Sequence, residues 1–578
     1  MTNMVEFLLN GQTVTVPAGL TILEAARLHG VRIPSLCHHP DQRVKANCRV
    51  CVVEVEGQPT LAAACATSVQ DGLRVRTNSP RIRETVQTIL ELIFANHPAE
   101  CLTCIRNGNC ELRRLAADYG IREVKGELCC DELPQDTSTP AIVRNPNKCI
   151  KCGRCAEVCH HTQGTGILYS HFRGLDVQVA PEYGKSLADV ACVLCGQCAA
   201  VCPVGAIHEK DDTAAVWAAL DDPAKHVVVQ VAPAVRVSIA EEFGQPTGTI
   251  ATGRLVAALR KLGFDRVFDT DFTADLTIME EGHELLHRLQ AGGTLPLITS
   301  CSPGWVKYIE HNYPELLPHV STCKSPQQMF GALAKTYYAR KAGLDPTDIF
   351  VVSIMPCTAK KYESQRPEMA ASGQRDVDAV LTTRELGRFL KQAGIDFAAL
   401  GDSAFDDPLG ISTGAAAIFG VTGGVTEAAL RTVCEAVTGK ELTKVEFTAV
   451  RGLAGIKEAA VDLEGRPVKV AVAHGLSNAR RLMDLLRAGL ADYTFIEIMC
   501  CPGGCIGGGG QPYGTTDAVR RQRIEAVYRV DASQPLRKSH QNPAVLSLYQ
   551  EFLQQPLSEV SHRLLHTRYR KRSLYKIK

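Results

Sequence analysis

The 24 cysteines of this chain limit its possible folds more than any other feature. Disulfide frameworks belong to small secreted chains without a hydrophobic core, whereas this chain has 578 residues, 45% of them hydrophobic. Its cysteines stand in tight local runs, which is the pattern of metal ligands. We therefore expect thiolates that bind iron–sulfur clusters in a reducing compartment, the cytoplasm.

Length and charge narrow the class of protein further. A chain of this length should divide into several domains. Its 63 basic and 62 acidic residues give a formal net charge of +1, so no overall field favours nucleic acid or an anionic membrane. The chain does not open with a cationic segment and an apolar core, and no apolar run approaches the roughly 20 residues that span a bilayer. These observations predict a cytoplasmic protein without a membrane span.

Residues 1–79 predict a β-grasp, ferredoxin-like domain. Two β-prone runs meet at Asn10-Gly11, a pair that favours a tight hairpin, and Thr21 and Glu24 form a capping box that opens a helix. Four cysteines follow: Cys37, Cys48, Cys51 and Cys65. Plant-type ferredoxins hold a 2Fe-2S cluster with the pattern C-x4-C-x2-C…C, and here the first gap is ten residues. A 2Fe-2S cluster is favoured over zinc at this site.

Residues 80–140 predict a small helical domain with one further cluster. The segment 80–95 has helical periodicity, and four potential ligands follow it with the spacing H-x3-C-x2-C-x5-C: His97, Cys101, Cys104 and Cys110. An isolated histidine here would be a surface cap at a helix end. Three cysteines directly after it favour a 4Fe-4S cluster or a zinc ion, either of which needs a fourth donor. Cys129 and Cys130 fit no cluster pattern.

Residues 141–212 predict a second ferredoxin-like domain, with two 4Fe-4S clusters. Two cysteine runs have the same spacing, C-x2-C-x2-C-x3-C, and they comprise Cys149, Cys152, Cys155 and Cys159, then Cys192, Cys195, Cys198 and Cys202. In bacterial two-cluster ferredoxins the fourth cysteine of each run serves the other cluster. By that pattern Cys202 joins the first three cysteines, and Cys159 joins the second run. A pair of structural zinc ions is the alternative.

Residues 213–515 predict a large doubly wound α/β domain. Apolar runs of strand length alternate with helical segments, which indicates parallel sheets covered on both faces. Three of these strands end in cysteines, namely Cys301, Cys357 and the pair Cys500-Cys501, with Cys505 close behind. Ligand sites in such sheets lie beyond the carboxyl ends of the strands, so these thiols should converge on one buried site. The alternative, a small buried cysteine in the core, suits Cys434. Residues 516–578 predict a helical extension with a solvated basic end.

Three loops of the large domain resemble the three signature segments of iron-only hydrogenases. They are TSCSPGW (299–305), MPCTAKK (355–361) and FIEIMCCPGGCIGGGGQP (495–512). The whole chain is similar to the long form of that family, with four accessory clusters, and most of all to the catalytic subunit of NAD(P)-linked enzymes or to ferredoxin-linked enzymes. The resemblance implies reversible heterolytic cleavage of dihydrogen at an H-cluster, a 4Fe-4S cubane bridged to a diiron unit with carbon monoxide, cyanide and azadithiolate ligands. It also implies maturation proteins that assemble this cluster.

The resemblance assigns the cubane ligands to Cys357, Cys501 and Cys505, with Cys505 bridging to the diiron unit. The first loop of the family usually reads TSCCP, in which the first cysteine passes protons and the second binds the cubane. This chain has Cys301 followed by Ser302. Serine is a hard donor and a poor match for cluster iron, so either Ser302 binds the cubane or another thiol does. The candidate thiols are Cys301, Cys323 and Cys500. Core packing of the last two is an equal alternative.

The resemblance also assigns a proton route and an enclosing wall. The proton route comprises Cys301, Glu281, Ser321, Glu284 and Arg288. The diiron unit of the family is enclosed by residues that correspond to Met355, Met499, Pro303, Gln327 and Phe419, and Lys360 donates to a cyanide ligand. Glu281 and Glu284 are three residues apart, on one face of a helix, although a solvated helix face has the same spacing.

Two other classes of function fit part of the sequence. A dihydrogen sensor or a non-catalytic iron–sulfur assembly protein could share the fold, but sensors commonly lose the relay cysteine, which is present here as Cys301. An electron-transfer subunit fits residues 1–210 and does not explain the three later cysteine loops. No GxGxxG or P-loop stands between a strand and a helix, so we expect other subunits to bind NAD(P).

Overall fold

The computed structural model describes residues 3–123, 132–463 and 466–575, so Cys129 and Cys130 lie outside the described residues. The first domain consists of strands β1 (Met4–Leu9), β2 (Gln12–Pro17), β3 (Val52–Val55), β4 (Ala62–Ala63) and β5 (Arg74–Arg76) and helix α1 (Ile22–Leu28). Its strands form one sheet in the order β2-β1-β5-β3-β4. The sheet and its single helix carry the first four cysteines.

Two local predictions for this domain are confirmed. Asn10 and Gly11 have φ angles of 52° and 85°, the left-handed conformations of a tight hairpin between β1 and β2. The Thr21 hydroxyl accepts a hydrogen bond from the N–H of Glu24, and the Glu24 carboxylate accepts one from the N–H of Thr21. This capping box begins α1 where the sequence indicates.

The next segments consist of short elements around the cysteine runs. They comprise α2 (Pro80–Ala95), α3 (Glu111–Asp118), β6 (Ile142–Arg144), α4 (Arg154–Glu157), β7 (Tyr169–His171), β8 (Gln178–Ala180), α5 (Gln197–Val201) and β9 (Ile207–Glu209). The helix predicted over 80–95 is confirmed, and the Ser79 side chain caps it. Helices α4 and α5 each begin after a left-handed glycine, Gly153 and Gly196, so the two cysteine runs enter their helices in the same way.

Two four-stranded sheets form the core of the large domain. The first contains β10 (His226–Val231), β11 (Arg266–Asp269), β13 (Ile349–Met355) and β14 (Ala379–Thr382), and the second contains β12 (Leu297–Ile298), β15 (Ile456–Leu463), β16 (Arg466–His474) and β17 (Phe495–Met499). The first sheet is parallel, in the order β11-β10-β13-β14, as predicted. The second has the order β12-β17-β16-β15, and β15 pairs antiparallel with β16. The strands that the sequence indicated, β12, β16 and β17, pair in parallel as predicted. Strand β15 adds an antiparallel edge strand, because only two residues separate it from β16.

Helices pack around both sheets. They are α6 (Thr213–Leu220), α7 (Thr252–Lys261), α8 (Thr270–Ala291), α9 (Pro303–Asn312), α10 (Pro326–Leu333), α11 (Ala339–Ala342), α12 (Ala359–Glu363), α13 (Thr383–Gln392), α14 (Gly414–Ala417), α15 (Gly424–Thr438) and α16 (Leu476–Arg487). Helix α8 packs between the two cores: Phe272 belongs to the core of the first sheet and Ile278 to that of the second. Glu281 and Glu284 therefore lie on a buried helix, with 3% and 8% of their surface exposed, and not on a solvated face.

The C-terminal segment is helical, as predicted, with α17 (Asp517–Ser533), α18 (Pro543–Leu548) and α19 (Glu559–Leu565). It packs on the large domain, where Arg431 donates to Asp531 at 2.8 Å. The basic end is largely exposed, as predicted, at Arg568, Arg570 and Lys571. Arg572 is the exception, since its Nε donates to the Glu310 carboxylate at 2.6 Å, and a buried carboxylate requires a cationic partner. Tyr575 forms a backbone bridge with Val190. Within the described residues, no helix combines the length and apolar character needed to cross a bilayer.

Candidate active site

The carboxyl ends of strands from both sheets open into one buried cavity. Its wall is formed by the segments that follow β10, β12, β13 and β17, and it encloses about 810 Å³, including space open to solvent. All three cysteine loops contribute to this wall, through Cys301, Cys357, Cys500, Cys501 and Cys505. Residues far apart in the sequence thus meet beyond the strand ends, which is where doubly wound sheets hold their ligands.

Three of these thiols lie close enough to change one another's ionisation. Burial raises the pKa of Cys357, and the thiols of Cys501 and Cys505 raise it further. Burial and Cys501 raise the pKa of Cys505 to about 12. The third loop approaches the second so closely that a Cβ on Gly508 would lie 2.1 Å from the carbonyl oxygen of Pro356. Three buried soft donors around one cavity fit the requirement of an iron–sulfur cluster.

The candidates for a fourth ligand do not all reach the cavity. Cys323 lies elsewhere, with its thiol 3.9 Å from Glu284 Oε2. Cys301, Ser302 and Cys500 line the cavity. The Ser302 hydroxyl accepts a hydrogen bond from the backbone N–H of Cys500 at 3.2 Å. Cys323 is therefore removed from the candidate ligands, and the other three remain.

A row of polar side chains leads from Cys301 along α8. Burial raises the pKa of the Cys301 thiol, and the neighbouring Glu281 carboxyl raises it further. Ser321 interacts with Glu281 and donates a hydrogen bond to Glu284 Oε2 at 2.9 Å. Arg288 donates to Glu284 Oε1 at 2.6 Å. Hydrogen bonds thus connect Glu281, Ser321, Glu284 and the partly exposed Arg288, and Cys301 neighbours Glu281 on the cavity side.

Glu281 has an unusual acidity within this row. Burial raises its pKa to about 8, with the Ser321 hydrogen bond opposing the shift and the charges of Glu284 and Glu497 adding to it. The group is therefore protonated at neutral pH. A pKa close to the working pH suits a group that must both accept and release protons.

Lys360 places a cation on the cavity wall. Its Nζ donates to Glu363 Oε2 at 2.8 Å and to the carbonyl oxygen of Cys301 at 3.2 Å. Glu363 also accepts hydrogen bonds from Ser325 and Gln327. Sequence reasoning missed Glu363, for which the available signal was its i,i+3 spacing from Lys360. The residues expected to enclose a diiron unit all line the cavity: Pro303, Gln327, Met355, Phe419 and Met499.

A buried histidine of the C-terminal segment adjoins the polar row. Thr322 Oγ1 lies 3.2 Å from Glu284 Oε2 and 2.8 Å from His566 Nδ1. His566 Nε2 lies 3.1 Å from Glu280 Oε2. These contacts fix the Glu284 carboxylate, and sequence reasoning missed them because no motif links residue 566 to residue 284.

The four cysteines of the first domain lie together in spite of their stretched spacing. Hydrogen bonds from Cys48 and Cys65 lower the pKa of Cys37. A hydrogen bond from Cys65 also lowers the pKa of Cys51. The four thiols are thus in mutual contact, which fits the ligand set of a 2Fe-2S cluster.

The ten-residue gap between Cys37 and Cys48 has a structural role. Its loop contains Asp41, whose carboxylate accepts a hydrogen bond from Arg520 Nη1 of α17 at 2.9 Å. The loop between Cys37 and Cys48 therefore docks the first domain onto the C-terminal segment. The spacing pattern alone did not reveal this contact.

A second, smaller cavity is lined by His97, Cys101, Cys104 and Cys110. His97 is buried, and its Nδ1 has no hydrogen-bond partner among the residues that the structure describes. Burial lowers the pKa of His97 to about 4, so its imidazole is neutral at pH 7 and can donate a lone pair to a metal. This environment fits a metal ligand better than a surface cap.

The two later cysteine runs exchange their fourth members. One cavity is lined by Cys149, Cys152, Cys155 and Cys202. In the other run burial raises the pKa of Cys192 and Cys198, and Cys159 is among the thiols that add to the shift. Each run therefore reaches into the site of the other, as in two-cluster ferredoxins.

The second of these runs adjoins the active-site cavity. Cys195 itself lines the cavity. The Thr358 hydroxyl donates to the carbonyl oxygen of Leu194 at 2.7 Å, and the Gln197 amide donates to the carbonyl oxygen of Gly507 at 2.9 Å. The loop of the cysteine run is thus hydrogen-bonded to the second and third active-site loops.

Fold and sites together define an iron–sulfur oxidoreductase, in which a series of cluster sites leads to a buried metal centre. Known families match the chain segment by segment. The iron-only hydrogenase large subunit, C-terminal domain, matches residues 225–509, and the iron hydrogenase small subunit matches residues 517–572. A 2Fe-2S iron-sulfur cluster binding domain matches 2–80, the NADH-ubiquinone oxidoreductase-G iron-sulfur binding region 87–125, and a 4Fe-4S dicluster domain 145–206.

Similar proteins are known along the whole length of the chain. The NADP-reducing hydrogenase subunit HndD of Solidesulfovibrio fructosivorans is 51% identical over 585 residues, which cover 99% of each chain. Iron hydrogenase 1 of Clostridium pasteurianum is 41% identical, over 98% of this chain and 100% of that one. A solved structure of a variant of apo [FeFe]-hydrogenase HydA1 from Chlamydomonas reinhardtii has a TM-score of 0.56 and 45% identity, over 62% of this chain and 99% of the other. The chain belongs to the iron-only hydrogenase family, and it is a hydrogenase.

Proposed function

We propose that this hydrogenase couples dihydrogen to NAD(P) through partner subunits, with its accessory clusters as the electron path. The electron path is supported above all by the position of Cys195, because this residue belongs to a cysteine run and also lines the active-site cavity. Electrons from the cavity therefore have a direct path into the run and onward to the first domain. The full-length likeness to an NADP-reducing hydrogenase subunit supports NAD(P) as the final acceptor. Ferredoxin is the alternative acceptor.

We assign the clusters by the cysteine sets that lie together. One 2Fe-2S cluster belongs to residues 1–79, one 4Fe-4S cluster to residues 80–140, and two 4Fe-4S clusters to residues 141–212. The H-cluster belongs to residues 213–515, and residues 516–578 form the helical extension. The neutral, buried His97 supports a 4Fe-4S cluster with one histidine ligand at the second of these sites.

In the active site, Cys357, Cys501 and Cys505 would hold the cubane of the H-cluster, and Cys505 would also serve the diiron unit. This group, when bound, supplies the cleavage and formation of dihydrogen and the exchange of electrons. Lys360 places a fixed positive charge beside an anionic iron complex. Water is excluded from the reacting group by an enclosing wall of Pro303, Gln327, Met355, Phe419 and Met499.

Protons travel along the polar row on α8. The buried Cys301 thiol stays protonated, and the Glu281 carboxyl also holds a proton at neutral pH. Glu281 therefore passes its own proton on through the Ser321 hydroxyl while it takes up the proton of the Cys301 thiol, which is in turn replaced from the cavity. The Ser321 hydroxyl connects Glu281 to Glu284, and Arg288 holds Glu284 by a hydrogen bond of 2.6 Å. Each transfer lies between neighbouring groups, as proton transfer requires.

We assign NAD(P) binding to a partner subunit, because no glycine-rich phosphate-binding motif stands between a strand and a helix of this chain. Maturation proteins supply the diiron unit. The many thiolate ligands favour the reducing cytoplasm as the place of assembly.

Anaerobic purification from the native host tests this function. We expect the isolated chain to reduce methyl viologen with dihydrogen, and to reduce NADP only together with co-purified flavoprotein subunits. Reduction of ferredoxin by the isolated chain, with no NAD(P)-binding protein in the preparation, would contradict the NAD(P) link. A preparation with its full iron content that reduces no dye would contradict the electron path.

A further inference from the structure

The active-site cavity offers three cysteine ligands for a cubane and a serine where a fourth thiolate is expected. Ser302 is a hard donor, and its hydroxyl already accepts the N–H of Cys500 at 3.2 Å. A serine that holds a backbone amide in this way is a positioning group for the third loop. The fourth iron of a cubane then requires another soft donor from the cavity wall.

The Cys500 thiol lies at the same corner of the cavity as Ser302. A Cβ placed on Gly304, two residues after Ser302, would lie 2.7 Å from the Cys500 Sγ, so this sulfur points at the first turn of α9. Ser302 is the N-cap of that same helix. The thiol is therefore close to the position that a cysteine at residue 302 would occupy.

The surroundings of Cys500 differ from those of a cysteine that only packs in the core. Its thiol lies within hydrogen-bonding reach of the thiols of Cys195 and Cys501, and 4.0 Å from the amide oxygen of Gln163. Cys434 on α15 belongs, like Cys500, to an apolar core cluster, but burial and Glu435, and not other thiols, raise its pKa. Cys500 is thus surrounded by other candidate ligands, as a metal-binding thiol would be.

We propose that Cys500 supplies the fourth thiolate of the catalytic cubane and that Ser302 positions it through its backbone N–H. On binding, the thiol loses its proton to solvent and a sulfur–iron bond forms, with no change of redox state. The inference rests on the proposed H-cluster site. It also explains why Cys500 contacts Cys195, since adjacent thiolates of two cubanes give electrons a short path between them.

The test uses the full chain produced anaerobically without maturation proteins, so that the iron of the cubanes is measured without that of the diiron unit. We expect Cys500→Ala to lose the iron and acid-labile sulfide of one cubane, together with one electron paramagnetic resonance signal of the reduced protein. Ser302→Ala should keep both. The double variant Ser302→Cys with Cys500→Ala should regain both, which shows that the single variant loses a ligand and not its fold.

Two control variants separate this inference from the proposed function. Cys357→Ala should lose the same iron as Cys500→Ala, and Cys434→Ala should lose none. If Cys357→Ala loses a cubane while Cys500→Ala keeps it, Cys500 is not a ligand and the inference is overturned, even if the signal of the retained cubane shifts. If Cys357→Ala also keeps all its iron, the proposed site itself is wrong.

Discussion

Gly509 of the third active-site loop packs directly against Gly196 of the second cysteine run. A Cβ on Gly509 would lie 2.6 Å from the Cα of Gly196 and 2.2 Å from the carbonyl oxygen of Cys195. Only glycine permits this approach, and it brings the loop of an accessory cluster against the loop of the active site. The contact joins the electron path to the catalytic centre.

Substitution Gly509→Ala should therefore separate the two loops. Overpacking of this kind destabilises a protein by about 1–3 kcal/mol, and the longer gap should slow electron transfer. We expect slower reduction of the accessory clusters by dihydrogen, measured by freeze-quench electron paramagnetic resonance. Gly401→Ala is the matched control, because a Cβ there meets open space. Equal rates in both variants would show that the glycine contact is irrelevant to electron transfer.

Glu281 should control the pH dependence of catalysis. Its pKa of about 8 lies above the usual value, so the carboxyl holds a proton at lower pH and loses it as the pH rises through 8. Dihydrogen evolution, which draws protons through this group, should fall as pH passes about 8. Glu281→Gln should lower activity by about 10²–10⁴-fold while leaving iron content unchanged. Glu525→Gln, the same change at an exposed site, should behave as wild type, and equal loss in both variants would argue against the proton route.

His97 should be a cluster ligand. Its buried imidazole is neutral at pH 7, so replacement by alanine should remove the iron of one 4Fe-4S cluster, whereas His97→Cys should retain it. Because this cluster lies outside the active site, exchange of dihydrogen with deuterated water should persist in His97→Ala while dye reduction slows. Full iron content in His97→Ala would mean that His97 is a helix cap and not a cluster ligand.

The Asp41–Arg520 ion pair should anchor the first domain. The two side chains are 20% and 7% exposed, so Asp41→Asn leaves a mostly buried arginine with a weaker partner. We expect about 1–3 kcal/mol less stability for the docked domain and faster limited proteolysis near residue 79. Asp492→Asn disrupts an ion pair whose members are 89% and 50% exposed and serves as the control. Identical rates of digestion of the two variants would mean that the Asp41–Arg520 pair does not anchor the first domain.

Local signals in the sequence predicted much of the framework. The Asn10-Gly11 turn, the Thr21–Glu24 capping box and the helix over 80–95 each depend on neighbouring residues, and each is present in the structure. The convergence of cysteines beyond the strand ends was also predictable, because parallel strands share one ligand-binding edge.

Long-range contacts were not predictable in this way. The Asp41–Arg520 pair and the His566 contact beside Glu284 join residues hundreds of positions apart, and no spacing rule connects them. The place of Cys500 beside Cys195 likewise depends on how two domains pack. The diiron unit itself rests on family resemblance, since no spacing rule for cysteines predicts it.

The most direct test of the whole account is infrared spectroscopy of the matured enzyme and its Cys505→Ala variant, with iron content and dihydrogen uptake measured on the same samples. The account predicts carbon monoxide and cyanide stretching bands and rapid uptake in the wild type, and the loss of both in the variant while the accessory clusters remain. Bands and uptake that survive in Cys505→Ala would contradict a catalytic iron centre held by the thiols of Cys357, Cys501 and Cys505.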